Sequence, residues 1–231
     1  MATSKFKELA VILGVPYMPD GHLEQALVHR SYLNEHSSFP LDHNERLEFL
    51  GDAVLELVVT EYLYLNFPNP EGDLTTWRSA LVNGDNMSLV AQRLGVEPYL
   101  YLSKGELQES NTKARRYILA NAMEAIIGAI YLDFGWEESK KFLHKHLLPD
   151  LAEILQSKSY ADPKSKFQEA SQSQTGITPN YKVLEETGPD HERNFIIGVY
   201  IGSELIAKGK GTSKKEAQLD AAALALAEKK W

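Results

Sequence analysis

The stretch His43-Asn44-Glu45-Arg46-Leu47-Glu48-Phe49-Leu50-Gly51-Asp52, running on through Ala53-Val54-Leu55-Glu56-Leu57, decides how this chain is read. On a helix, at about 100° per residue, Glu45, Glu48, Asp52 and Glu56 fall within an arc of about 80°. Leu47, Leu50, Val54 and Leu57 lie on the far side. Four carboxylates on one stripe repel one another, and helix stability asks for none of them. A divalent cation removes that repulsion, and hard oxygen ligands suit magnesium, with manganese as a substitute. A solvated acidic face is the ordinary alternative. Against it stands Gly51, which costs helix stability inside the stripe and implies close approach by another backbone.

A second polar pair lies in the segment 117–132. Asn121 and Glu124 are its only strongly polar residues from Ile118 onward, and their i, i+3 spacing puts them on one face. A buried Glu without a partner is costly. Either a polar helix–helix contact or a metal centre shared with the first acidic helix would compensate it, and the first helix favours the second.

Composition narrows the classes. The chain has no Cys, which excludes a disulfide framework and a thiolate metal site. Acidic residues interrupt each apolar run before bilayer length, and the N-terminus, Met1-Ala2-Thr3-Ser4-Lys5-Phe6-Lys7-Glu8, lacks a signal-peptide core. The expectation is a cytoplasmic protein with no membrane partner. A net charge of −8 argues at first against nucleic acid. Up to Tyr160, however, there are 14 Lys+Arg against 22 Asp+Glu, and beyond it 10 against 10. The excess therefore lies with the carboxylates, and local clusters outweigh the sum.

Hydrophobic periodicity predicts helices over roughly residues 4–13, 20–31, 42–66, 74–94, 105–110, 113–133 and 136–157. A polar stretch, Ser157 to Pro163, then separates a different pattern. Ser165 to Thr175 reads as a helix, 180–185, 194–201 and 204–207 alternate as strands, and Ser213 to Lys230 is an Ala-rich helix. Lys214 and Lys215 open that last helix, where the macrodipole disfavours cations. An anion bound there reverses the effect and accepts free backbone N–H groups, with Lys210 just before.

The first stretch closely resembles the hallmark of the ribonuclease III family, N-E-R-L-E-F-L-G-D. Ala26-Leu27-Val28-His29-Arg30-Ser31-Tyr32, Glu71-Gly72-Asp73-Leu74 with Arg78 and Leu81-Val82, and 113–128 resemble its other segments in the same order. The segment from Pro163, with Gly188-Pro189-Asp190-His191 and Gly209-Lys210-Gly211-Thr212-Ser213-Lys214-Lys215, resembles the double-stranded RNA-binding domain. The resemblance implies an all-α endonuclease domain over 1–158, a linker at 159–162, and a small α-β-β-β-α domain over 163–231.

It also implies hydrolysis of double-stranded RNA by a symmetric homodimer, in rRNA or mRNA processing. The ends would be 5′ phosphates and 3′ hydroxyls with short 3′ overhangs. Glu48, Asp52 and Glu124 would hold magnesium with Asn121 supporting, and Asp52 and Glu124 would be catalytic. Glu45 and Glu71 would stand behind them or belong to the partner's site. Phe49, beside the stripe, would be a dimer contact. Arg115 and Arg116 are candidates for phosphate contact, and His29 and His43 for structural hydrogen bonds. Gln168, Glu169 and His191 would face minor grooves, with Lys210, Ser213, Lys214 and Lys215 toward the phosphates. Most members carry Asp where this chain has Asn121, so a catalytically weak or silent RNA binder is the competing reading.

Overall fold

The computed structural model describes residues 2–108, 112–157, 163–189 and 193–231. The expected linker 159–162 and His191 lie outside them. The chain divides into two compact units, Met1–Tyr160 and Ala161–Trp231.

In the first unit the helices are α1 (Ala2–Leu13), α2 (Arg30–Glu35), α3 (Glu45–Asn66), α4 (Glu71–Val82), α5 (Gly84–Arg93), α6 (Lys104–Gln108), α7 (Lys113–His146) and α8 (Asp150–Ser157). Helices α3 and α7 form its central pair. Leu55, Val58, Val59 and Leu63 from one meet a core that includes Leu119, Met123, Ile126 and Ile127 from the other. Burying each such side chain stabilises the fold by about 1.5–3 kcal/mol. Phe6, Leu9 and Leu13 bring α1 onto the same core.

Several expected boundaries move. The helix expected over 74–94 is two helices, because Asn83 is extended (φ −67°, ψ 158°) and its side chain accepts from Asn86 N at 2.9 Å to start α5. Most of 20–31 is not α-helical. A 3-10 turn, Gln25–Leu27, is followed by Val28, which bridges Tyr101 in parallel. The helix expected over 136–157 breaks after His146 and resumes at Asp150, with Pro149 in the gap. Within α7, Gly135 takes φ 80° and kinks the helix. Leu57, expected on the apolar side, is 57% exposed.

The membrane expectation also needs correcting. By length and composition α7 is apolar enough to cross a bilayer, because it contains a window of 18 residues with no more than two charged side chains. Yet 61% of that window is buried within the protein, where it packs on α3 as a core helix.

The second unit is α9 (Pro163–Thr175), strands β1 (Asn180–Thr187), β2 (Asn194–Ile201) and β3 (Glu204–Gly211), and α10 (Lys214–Lys229). The sheet is antiparallel in the order β1-β2-β3. Phe167 of α9, Val199 and Ile201 of β2, and Ala221, Ala222 and Ala225 of α10 make its core. Strand β3 runs on through Gly209-Lys210-Gly211. A Cβ on Gly209 would lie 2.7 Å from Ala221 Cα, and one on Gly211 2.5 Å from Ala217 N. These glycines allow helix and sheet to touch.

Candidate active site

Helices α3 and α7 meet at a pair of glycines. A Cβ on Gly51 would overlap the carbonyl oxygen of Glu124 and lie 2.8 Å from Gly128 N. One on Gly128 would overlap Leu47 O and lie 3.1 Å from Gly51 N. The contact expected of Gly51 is therefore with the second polar segment itself. It brings Glu48 and Asp52, on either side of Gly51, up to Asn121 and Glu124.

The charges respond to this crowding. Burial raises the Glu124 carboxyl to about 7, and the negative charges of Asp52 and Glu48 push in the same direction. Glu48 is raised by burial and then by Glu45 and Asp52, while a hydrogen bond from the Asn121 side chain opposes the shift. Asn121 thus donates to the cluster where a carboxylate would repel it. Among the described residues no three His, Asp or Glu side chains converge as a ready-made metal cage. The donor set is still oxygen-only, three carboxylates and an amide, with a charge excess that a hard divalent ion offsets. That chemistry fits magnesium.

Around the cluster, the other sequence candidates separate. Glu45 is paired with Arg30, Nη1 to Oε1 at 3.0 Å, and His43 Nδ1 lies 3.7 Å from its Oε2. Glu56 is drawn aside to Arg78 of α4 at 2.8 Å. Glu71 is exposed and accepts from the Thr75 hydroxyl at 2.9 Å. It lines a cavity of about 640 Å³ with Tyr64, Phe67, Leu74 and Arg78, and is not among the charges acting on Glu48 or Glu124. Phe49 is 81% exposed. His29 caps α2, its Nδ1 accepting from Ser31 N at 3.3 Å.

The two arginines divide. Arg116 is exposed, with its Nε 3.5 Å from Asp85. Arg115 is buried, donating to Glu106 O and lying 3.5 Å from Glu97, so it is structural and not a phosphate contact. Asn44 and Arg30 were not singled out in the sequence. Asn44 is 4% exposed and donates to Ala26 O at 3.1 Å, which fixes the start of α3. Both residues stand inside quoted motifs, but their partners are distant in the chain.

In the second unit Gln168 and Glu169 are exposed on α9 beside Gln172 and Thr178. Lys210, Lys214 and Lys215 are exposed, and Lys214 Nζ stands 5.6 Å from the centre of the Phe195 ring. Ser213 caps α10, its hydroxyl accepting from Glu216 N at 3.2 Å. The Glu216 carboxylate in turn accepts from Thr212 N and its hydroxyl, both at 2.7 Å. This reciprocal cap takes up the N–H groups of Glu216 and Thr212 and places a carboxylate beside the lysine side chains at the start of α10.

A family model described as Ribonuclease-III-like matches residues 20–151. The chain belongs to the ribonuclease III family. A second model, described as a double-stranded RNA binding motif, matches residues 163–229. The chain is 42% identical over 220 residues to Ribonuclease 3 of Enterococcus faecalis, covering 95% of each. It is 49% identical over 206 residues to Ribonuclease 3 of Moorella thermoacetica, covering 89% of this chain and 87% of that one. A solved nuclease domain of ribonuclease III from Campylobacter jejuni, described as flexible in a region involved in dimer formation, matches with a TM-score of 0.54 and 36% identity. That match covers 62% of this chain and 99% of the other. The ribonuclease III fold expected from the sequence, a helical domain followed by α-β-β-β-α, is the fold observed.

Proposed function

We propose that Glu48, Asp52, Asn121 and Glu124 form the hydrolytic centre through which this ribonuclease III-family endoribonuclease cleaves double-stranded RNA. The family membership carries the enzyme class. The meeting of α3 and α7 at Gly51 and Gly128 supports the site, since it gathers carboxylates from both helices whose charges act on one another.

Glu48 and Asp52 from α3 and Glu124 from α7 would hold magnesium, or manganese in its place. The ion supplies activation of water and neutralisation of charge at the phosphodiester. Asn121 orients Glu48 through its amide, and in the ion-free protein burial and the charges of Asp52 and Glu48 bring the Glu124 carboxyl to about 7, where it exchanges a proton near neutral pH. The second unit would grip the duplex by shape. Gln168, Glu169 and His191 would meet the minor grooves, and Lys210, Ser213, Lys214 and Lys215 the phosphates between. Arg116 remains a phosphate candidate on the first unit.

A homodimer accounts for the surface of α3. Phe49, Leu57 and Tyr64 are 81%, 57% and 77% exposed and lie within about 80° of one another on the helix. An apolar stripe of this kind beside the carboxylates suits a second copy of the chain, with Phe49 at its head and Glu71 offered across the contact. Each centre would then cut one strand, leaving 5′ phosphates, 3′ hydroxyls and short 3′ overhangs. Transcripts for rRNA and mRNA processing in the cytoplasm are the proposed substrates.

The competing reading, a silent RNA binder, rests on the neutral Asn121 alone. A labelled RNA duplex incubated with the protein and magnesium, then with chelator, separates the two. Chelator-sensitive cleavage that Glu124→Gln abolishes without weakening the gel shift is the expected result. Binding without cleavage by the natural chain would favour the silent binder.

A further inference from the structure

Arg30 opens α2 and reaches back to Glu45, the first residue of α3. Its Nη1 meets Glu45 Oε1 at 3.0 Å, while His43 Nδ1 lies 3.7 Å from Oε2. The base of Arg30 is fixed. His29, the preceding residue, caps α2 and donates its backbone N–H to Tyr101 O at 3.1 Å. Glu45 is one turn before Glu48, so the two side chains are neighbours along the helix. Its charge ranks next after burial in raising the Glu48 carboxyl. A fourth carboxylate thus stands at the edge of the cluster, committed to another partner.

We infer that Arg30 is a positioning residue that holds Glu45 out of the metal-binding group and so sets its preference for magnesium over calcium. The inference rests on the reading of Glu48, Asp52 and Glu124 as ligands. The Arg30 and Glu45 side chains are 65% and 43% exposed, so as a stabilising ion pair they contribute little. Their consequence is where the Glu45 carboxylate is kept.

The two ions differ in what a spare carboxylate offers them. Magnesium keeps several waters, demands a near-octahedral shell and is held by few carboxylates. Calcium takes six to eight oxygens in an irregular shell and accepts bidentate carboxylates. A freed Glu45 swinging toward Glu48 would add oxygens that calcium can use and magnesium cannot. Loss of the Arg30 charge also draws every divalent cation more strongly, but equally, so the ratio of the two affinities isolates the added ligand. The contact uses one guanidinium nitrogen, which a lysine ammonium can replace.

Calorimetric titration of the RNA-free full chain with magnesium, and separately with calcium, tests this. Arg30→Ala is expected to shift the affinity ratio toward calcium by roughly tenfold, the scale on which ligand number tunes such sites. Arg30→Lys, Glu45→Gln and the double variant Arg30→Ala/Glu45→Gln should keep the ratio of the natural chain. An unchanged ratio in Arg30→Ala, or a shift that persists in the double variant, overturns the inference. Glu48→Gln separates the two levels. If it leaves magnesium binding intact, the ligand reading fails and this inference with it. If it weakens magnesium binding while Arg30→Ala leaves the ratio unmoved, only the role of Arg30 fails.

Discussion

Gly51 and Gly128 face each other across the α3–α7 contact, and neither position has room for a methyl group. Each Cβ would strike main-chain atoms of the opposite helix, which cannot rotate away as a side chain can. Overpacking of a core typically costs about 1–3 kcal/mol and occasionally more. Gly51→Ala is expected at or above the top of that range in urea unfolding. It should also lower cleavage beyond the loss of folded protein, because parting the helices parts Glu48 and Asp52 from Glu124. An unfolding midpoint equal to that of the natural chain would contradict so close a crossing.

Glu124 makes the ion-free fold pH-dependent. Its carboxyl titrates at about 7 when folded against 4.5 for an ordinary glutamate. The folded state therefore favours the proton, and the stability this confers is fully present below about pH 4.5 and lost as pH rises through about 7. Glu124→Gln, neutral at every pH, should melt higher than the natural chain at pH 8 in chelator, and the gap should close toward pH 4.5. A gap that stays constant across this range would show that Glu124 does not carry the effect.

Asn121 donates to Glu48, and Asn121→Asp removes that donor while adding a like charge. The ion-free variant should melt lower at pH 8, and half-maximal cleavage should need less magnesium, since a further carboxylate strengthens attraction for the ion. The maximal rate is not tied to that affinity, because tighter ground-state binding does not by itself favour the transition state. If the natural chain only binds RNA, the variant should create cleavage from a zero baseline. Coincident magnesium curves at measurable activity would place Asn121 outside the metal's surroundings.

The two compact units suggest a division of labour. A fragment of residues 1–158 is expected to dimerise and to cleave duplex RNA at low salt. It should lose activity at lower salt than the full chain, having lost the exposed cationic side chains of Lys210, Lys214 and Lys215 that are proposed to meet phosphates. Matching salt profiles for fragment and full chain would assign the RNA grip to the first unit.

What was readable in the sequence, and what was not, follows the range of each interaction. The carboxylate stripe and Gly51 are local to one helix, so the site's frame could be read from residues 43–57. Leu57 was misplaced because a helical projection treats an apolar residue facing the core and one facing outward at its border alike. The break at 147–149 was hidden by Leu147 and Leu148, which carry the apolar periodicity through it. The bridge from Val28 to Tyr101 and the contacts of Arg115 with the Glu97 carboxylate and the Glu106 carbonyl depend on pairings that no local pattern encodes. The Arg30–Glu45 pair belongs with these, as its members lie on different helices.

Strand β3 carries one more consequence. Gly209 lies against α10 and is buried, while Lys208 and Lys210 on either side are exposed. Charge placement there is a matter of odd and even. Inserting one residue ahead of Gly209 would leave composition almost unchanged yet exchange the two faces, driving ammonium groups against Ala217 and Ala221. This edge of the protein should therefore tolerate many substitutions of one lysine by another cation, and almost no change in length.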